Sequence, residues 1–216
     1  MIIHTIHIDQ VRGMDLRWME QAMPARWERA QRFVRERDRL LCLGAGVLLR
    51  MKAGVGSERE LTFNEHGKPF AAGRNWFSLS HSGDLSAIVI DCGRVGMDME
   101  YVGSPFPAEV AERIFTKDEL SHIGNALQEE GEPIGRLQDR AMYRLWTMKE
   151  SMLKAIGVGL AMDPSSFSVL PALSGDPVTV GDDKWYIAGG ESGGYCYSVC
   201  REEPTEQPEA ENIFRV

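Results

Sequence analysis

The sequence has few of the features that mark a membrane-spanning, secreted or nucleic-acid-binding protein. No apolar run among its 216 residues is long enough to cross a bilayer, and the first residues do not form a signal peptide. The formal net charge of −8 argues against nucleic acid or an anionic membrane as the main partner. The four cysteines have neither disulfide nor zinc-ribbon spacing. These absences predict a reduced, cytoplasmic protein.

The order of apolar periodicities predicts an α+β fold built from two similar-sized halves. With 43% hydrophobic and 26% charged residues, the chain has an ordinary globular composition and can bury a substantial core. Residues 1–101 are predicted to form a strand, a helix and three strands, and residues 102–200 to form helices followed by strands. Residues 201–216 are acidic and are predicted to be a disordered tail.

Several shorter segments carry their own structural predictions. One long helix is predicted over residues 25–52 and a short one over residues 108–114. Thr116 and Glu119 have the spacing of a helix N-cap and capping box. Residues 164–169 are predicted to be a strand.

The segment Arg144–Leu160 is predicted to be an amphipathic helix with charged residues on and beside its apolar stripe. Lys149 falls in the middle of its apolar stripe, where a lysine must reach water along its methylenes or meet a partner charge. Glu150 and Lys154 lie one turn apart along the edge of that stripe. The helix therefore offers a carboxylate flanked by two ammonium groups, which suits a metal-bound polyphosphate. The residues of the stripe are Met142, Leu145, Trp146, Leu153 and Ile156.

A second candidate site is the strand predicted at residues 95–100. Gly96, Asp98 and Glu100 are alternate residues of this strand and therefore share one face. The two carboxylates lie together on that face, and Gly96, which has no side chain, leaves space in front of them for a ligand. Such a pair is either an exposed strand face or a ligand pair for a hard divalent cation. With Glu150 as a third carboxylate, the set predicts a magnesium site.

Two further segments could bind phosphate. Six arginines between positions 26 and 39 stand against three acidic residues, either as a solvated face with ion pairs or as a phosphomonoester site. Arg26 and Arg29 lie at the predicted start of the helix, where its dipole favours anions. Ser80 and His81 follow a predicted strand, either as a satisfied polar turn or as phosphate ligands.

These segments resemble the motifs of one enzyme family. Val95–Glu100 and Trp146–Lys154 resemble the GxDxE and WxxKExxxK signatures of the 4'-phosphopantetheinyl transferase superfamily. Gly67–Pro69 and Leu79–Gly83 resemble motifs of its larger, single-chain type, which activates peptide and polyketide synthases. Phe115–Glu119 fits the segment between the two signatures.

The resemblance implies two pseudo-symmetric α+β halves in one chain, acting as a monomer, with coenzyme A in the cleft between them. It implies transfer of 4'-phosphopantetheine to a serine of an acyl or peptidyl carrier protein, with release of adenosine 3',5'-bisphosphate. Arg26, Arg29 and His81 would hold the 3'-phosphate of coenzyme A. Ser80 would lie near the phosphates, and Lys68 would lie at the nucleotide end.

The chemistry of that reaction agrees with the charged residues. Mg²⁺ held by Asp98, Glu100 and Glu150 would neutralise the pyrophosphate under attack. Lys149 and Lys154 would pair with carboxylates or phosphate oxygens as charge moves to the leaving group. The carrier serine must lose a proton, which Glu150 or a metal-bound hydroxide could accept.

Two other functions stay open on the residues alone. A Mg²⁺-dependent nucleotide phosphodiesterase could use the same three carboxylates to activate water. A catalytically silent module could dock carrier proteins, although Asp98, Glu100, Lys149 and Glu150 are all intact and give no support to it.

Overall fold

The computed structural model describes residues 1–73, 75–125, 134–204 and 209–211. Its first elements are β1 (Ile2–His7), α1 (Ile8–Arg12), α2 (Trp18–Ala22), α3 (Pro24–Gln31), α4 (Glu36–Lys52), β2 (Leu61–Phe63), β3 (Pro69–Ala71), β4 (Trp76–Ser82) and β5 (Leu85–Asp91). They are followed by β6 (Val95–Tyr101), α5 (Ala108–Ile114), α6 (Lys117–Asn125), α7 (Ile134–Ile156), β7 (Val178–Val180), β8 (Asp183–Ser192), β9 (Tyr195–Arg201) and β10 (Glu209–Glu211). The predicted α+β class is confirmed.

The first sheet has the strand order β10-β1-β5-β4, and α4 packs across it. Every residue of α4 from Leu40 to Leu49 is buried, so this helix fills the centre of the N-terminal core. Its glycines let neighbouring elements come close. A Cβ atom on Gly46 would lie 2.7 Å from the Met19 methyl carbon and 2.8 Å from Cδ of Arg26.

The second sheet has the order β6-β9-β8-β7, and α7 packs on its face. The apolar stripe predicted for α7 is confirmed, because its members lie in or against the C-terminal core. Gly96 on β6 lets the strand and the helix come into close contact. A Cβ atom there would lie only 2.0 Å from the Ser151 carbonyl oxygen and 2.3 Å from the Ala155 nitrogen.

The two sheets meet where β4 runs beside β6, and the contact is made by alternate serines. We call Ser78, Ser80 and Ser82 the serine ladder. Each hydroxyl oxygen accepts a hydrogen bond from a backbone N–H of β6. The donors, in the same order, are Met97 (3.0 Å), Met99 (3.3 Å) and Tyr101 (2.9 Å). The ladder satisfies edge N–H groups of β6 that burial between the sheets would otherwise leave unpaired.

Two helix and strand predictions are wrong in detail. The helix predicted over residues 25–52 is broken into α3 and α4, with Arg35 in extended conformation before α4. The break allows the two helices to pack against each other, which one straight helix could not do. Residues 164–169 form a short 3-10 turn, Pro164–Ser166, and no strand. Their backbone groups bond instead to buried charged side chains.

The boundary regions also differ from the sequence prediction. β6 was placed in the first half, but it pairs with β9 and so belongs to the second sheet. The disordered tail predicted for residues 201–216 does not hold at Glu209–Glu211, which pair in parallel with β1 and so cover what would otherwise be the edge of the sheet. An edge strand offers unpaired backbone groups to such a segment. Residues 205–208 and 212–216 lie outside the described residues.

Gly96→Ala is expected to lower the free energy of unfolding by about 3 kcal/mol, at the upper end of overpacking costs, because the added methyl meets backbone atoms. Gly124→Ala in α6 is the matched control, since a Cβ atom there meets nothing within 4 Å. It should be neutral or stabilise the helix by up to about 1 kcal/mol. Urea unfolding of both variants checks this, and equal stability of the two would contradict the close-packing account.

Candidate active site

The candidate site lies on the seam between the two sheets, where β4, β6 and α7 meet. Asp98 is buried, and its Oδ1 atom accepts hydrogen bonds from Lys154 Nζ (2.7 Å) and from Ser80 Oγ (2.8 Å). The Lys154 ammonium also lies 3.3 Å from Ser80 Oγ and is partly exposed. The structure therefore brings together three predicted site residues, one from each of the three elements.

The three predicted metal ligands influence one another electrostatically. Burial, and then the charge of Asp98, raise the pKa of Glu100 to about 6, even though Ser82 Oγ donates to its Oε2 atom at 2.6 Å. Burial and the charge of Asp98 also raise the pKa of Glu150. Burial and mutual repulsion therefore both disfavour the charged forms of Glu100 and Glu150.

The same residues can be tested for their fit to Mg²⁺. Among the described residues, no three His, Cys, Asp or Glu side chains already converge as a metal-binding cluster. However, Asp98 Oδ2 is buried without a hydrogen-bond partner in the described part of the chain, so one ligand atom is available. Mg²⁺ needs only one or two protein carboxylates when phosphate and water oxygens complete its shell. The donor set fits such an ion.

Beside the carboxylates lies a group of positively charged or chargeable side chains. Burial, then the charges of Lys154 and Arg29, lower the pKa of His81. Excess positive potential at this point favours a bound anion. Arg26, predicted at the same place, turns inward instead: its Nη1 atom donates to the Cys42 carbonyl oxygen at 3.2 Å. Burial lowers the pKa of Arg26.

Lys68, which was predicted at the nucleotide end, has its ammonium group bonded to two backbone carbonyls. Its Nζ atom donates to the Val95 carbonyl (3.0 Å) and to the Ala155 carbonyl (3.1 Å) near the end of α7. A cation there complements the helix dipole. Burial lowers the pKa of Lys68 to about 8. Its backbone, with Gly67, borders a cavity of about 250 Å³ that also reaches Leu153 and Lys154.

Lys149 is not brought to the seam. Its side chain is fully buried, 2.9 Å from Glu119, and it also donates to the Pro164 carbonyl (2.7 Å) and the Phe167 carbonyl (2.6 Å). These three acceptors satisfy the three donors of an ammonium group. The partner charge that its place on the apolar stripe demanded is thus a carboxylate, and the predicted catalytic role is not supported by its position.

Glu119 and Ser82 are the important residues that the sequence prediction missed. Glu119 was identified as part of a capping box, and that box is confirmed by its bonds with Thr116. The same carboxylate also accepts from the Val169 N–H at 2.9 Å. The signal for Ser82 was present as the alternation of serines along β4, which puts three hydroxyls on one face.

One family model and several known proteins match the sequence. The model of the 4'-phosphopantetheinyl transferase superfamily matches residues 94–200. The 4'-phosphopantetheinyl transferase Sfp of Bacillus subtilis (strain 168) is 30% identical over 178 residues, covering 78% of this chain and 76% of Sfp. A phosphopantetheinyl transferase of a Thraustochytrium species is 34% identical over 150 residues, covering 62% and 51%. AcpT of Salmonella typhi is 34% identical over 122 residues, covering 52% and 57%.

The chain therefore belongs to the 4'-phosphopantetheinyl transferase superfamily and resembles its larger, Sfp-like members. The match to Sfp extends well beyond the residues that the family model covers. In the described part of the chain, no helix is long and apolar enough to span a membrane.

Lys149→Met is expected to lower the free energy of unfolding by about 3–5 kcal/mol, because it strands the buried Glu119 carboxylate. Adding Glu119→Gln to that variant should recover part of the loss, since only a neutral amide is then left unpaired. Chemical denaturation of the single and double variants checks this order.

The same variant separates structure from substrate binding. Lys149→Met that remains folded should bind coenzyme A within a few-fold of wild type by calorimetry, whereas Lys154→Met should lose about tenfold or more, the value of one charge-assisted hydrogen bond. Equal losses of coenzyme A affinity in the two folded variants would show that Lys149 contributes to substrate binding after all.

Proposed function

We propose that this protein transfers the 4'-phosphopantetheine group of coenzyme A to a serine of an acyl or peptidyl carrier protein. The observation that carries the proposal is the meeting of Lys154, Ser80 and Asp98 on the seam between the sheets. A cation, a hydroxyl and a carboxylate in this arrangement suit a metal-bound pyrophosphate. Membership of the superfamily supplies the substrate class.

We assign the nucleotide to one end of the seam. The cavity beside Gly67 and Lys68 has walls that are largely apolar, including Phe77 and Leu153, which suits a purine ring. Arg29 and His81 would hold the 3'-phosphate, because the charges of Arg29 and Lys154 both act on the His81 ring and lower its pKa. Arg26 contributes indirectly by fixing α3 against α4.

The carboxylates are assigned to the metal ion and to proton transfer. Asp98, Glu100 and Glu150 would hold Mg²⁺, which would offset the negative charge of the pyrophosphate when bound. Lys154 would donate to the phosphate oxygens on which charge grows as the bond to adenosine 3',5'-bisphosphate breaks. The new bond joins the carrier serine oxygen to phosphorus. Glu150, whose pKa is raised by burial, would accept the proton of the serine hydroxyl, or a metal-bound hydroxide would do so.

The remaining features of the proposal concern the state of the protein. We propose a monomer, because one chain contributes both sides of the seam. A reducing, cytoplasmic environment is consistent with the four cysteines, all of which are free. Burial raises the pKa of Cys196 to about 12, so this thiol is expected to be inert.

The direct test of the proposed reaction is intact-protein mass spectrometry of an apo carrier protein incubated with this protein, coenzyme A and Mg²⁺, with EDTA as control. A metal-dependent gain of one phosphopantetheine group is expected. Asp98→Ala and Glu150→Gln should each abolish the gain while circular dichroism stays unchanged. Coenzyme A cleavage without transfer would favour the phosphodiesterase, and binding of the carrier without any reaction would favour a silent module.

The assignment of the 3'-phosphate has its own test. Arg29→Ala should weaken coenzyme A about tenfold and 3'-dephospho-coenzyme A very little, because the contact is to the missing phosphate. Arg26→Ala is the neighbouring control and should reduce both affinities by the same factor. Competition binding measures the four values, and equal losses of both ligands in Arg29→Ala would remove Arg29 from the site.

A further inference from the structure

The three hydroxyls of the serine ladder all accept a hydrogen bond from β6, but they differ in what other hydrogen bonds they make. Ser82 Oγ accepts from Tyr101 N–H (2.9 Å) and donates its one proton to Glu100 Oε2 (2.6 Å). Because both bonds are made at once, the hydroxyl cannot rotate freely. The charged side chain of Glu100 is thereby tied to a backbone atom through one intervening group.

Ser78 provides an internal comparison. It makes the same bond to β6, from Met97 N–H at 3.0 Å, but the residue beside Met97 at that level is Gly96, which has no side chain. Within the described residues, Ser78 therefore joins the sheets through a backbone bond and has no hydrogen bond to a carboxylate. Ser82 joins the sheets and also restrains one.

Restraint matters at Glu100 because this side chain has three rotatable bonds and lies under repulsion. Asp98 lies two residues before Glu100 on the same face of β6, so an unrestrained Glu100 would gain by turning away from that carboxylate. The Ser82 bond holds Oε2 on the seam and leaves Oε1 for a cation. Groups that orient metal ligands in this manner are worth about 10–100-fold in metal affinity.

We infer that Ser82 is a positioning residue of the transferase: through its hydrogen bond, the N-terminal half orients Glu100, a metal ligand carried by the strand of the second sheet. The inference rests on the proposed function for the identity of the metal ligands. It extends that function, because it makes docking of the two sheets a condition for a competent metal site. Ser82 acts through Glu100 and does not itself contact substrate.

The experiment measures metal binding directly. Mn²⁺ is titrated into the full-length protein with saturating coenzyme A, and free Mn²⁺ is followed by electron paramagnetic resonance. Ser82→Ala should raise the Mn²⁺ dissociation constant by about tenfold or more, whereas Ser82→Thr, which keeps the hydroxyl, should stay within about threefold of wild type. Ser78→Ala is the matched control and should also stay within about threefold, because it loses a ladder bond but no contact to a carboxylate.

The outcomes separate this inference from the function on which it rests. Weakening in Ser82→Ala alone would support the inference. Equal weakening in Ser78→Ala, unchanged affinity in Ser82→Ala, or failure of Ser82→Thr to restore affinity would overturn it while wild-type metal binding stands. A wild-type protein that binds no Mn²⁺ with coenzyme A would overturn the metal assignment itself, and the inference with it.

Discussion

The structure depends on the hydrogen bonds by which serine hydroxyls of β4 satisfy the backbone N–H groups of β6. Two sheets that met edge to edge without them would bury unpaired donors at a cost of about 1–3 kcal/mol each. A serine hydroxyl can accept a hydrogen bond from β6 and still donate its own proton to another group. In a backbone ladder, the N–H and C=O groups would both be used for pairing the strands. Ser80 and Ser82 can therefore join the sheets and still bond to Asp98 and Glu100. The joint between the halves and the candidate site are one network.

The charges along α7 divide into two groups that differ in burial. Lys149 is fully buried with Glu119 and two carbonyls, and this arrangement joins α6, α7 and the turn at Pro164–Ser166. Lys154 is partly exposed beside Asp98, where a phosphate can reach it. Both belong to the same nine-residue motif. The first lysine stabilises the helix that carries the second, and we propose that the second binds phosphate.

Local pattern predicted much of this, because helix and strand periodicity decides which residues share a face. The face of Asp98 and Glu100, the stripe of α7 and the capping box of Thr116 and Glu119 all follow from spacing alone. The partners of long side chains do not follow from spacing. The distance from Lys149 to Glu119, the inward turn of Arg26 and the capping of α7 by Lys68 depend on contacts between segments far apart in sequence.

The most direct test of the central claim is a crystal structure of the protein with coenzyme A and Mg²⁺. The account predicts the purine beside Gly67 and Lys68 and the pyrophosphate against Lys154. It also predicts a metal ion bound to Asp98, Glu100 and Glu150, with the Ser82–Glu100 bond intact. A nucleotide bound away from the seam, or a metal ion that does not contact Asp98, would contradict it.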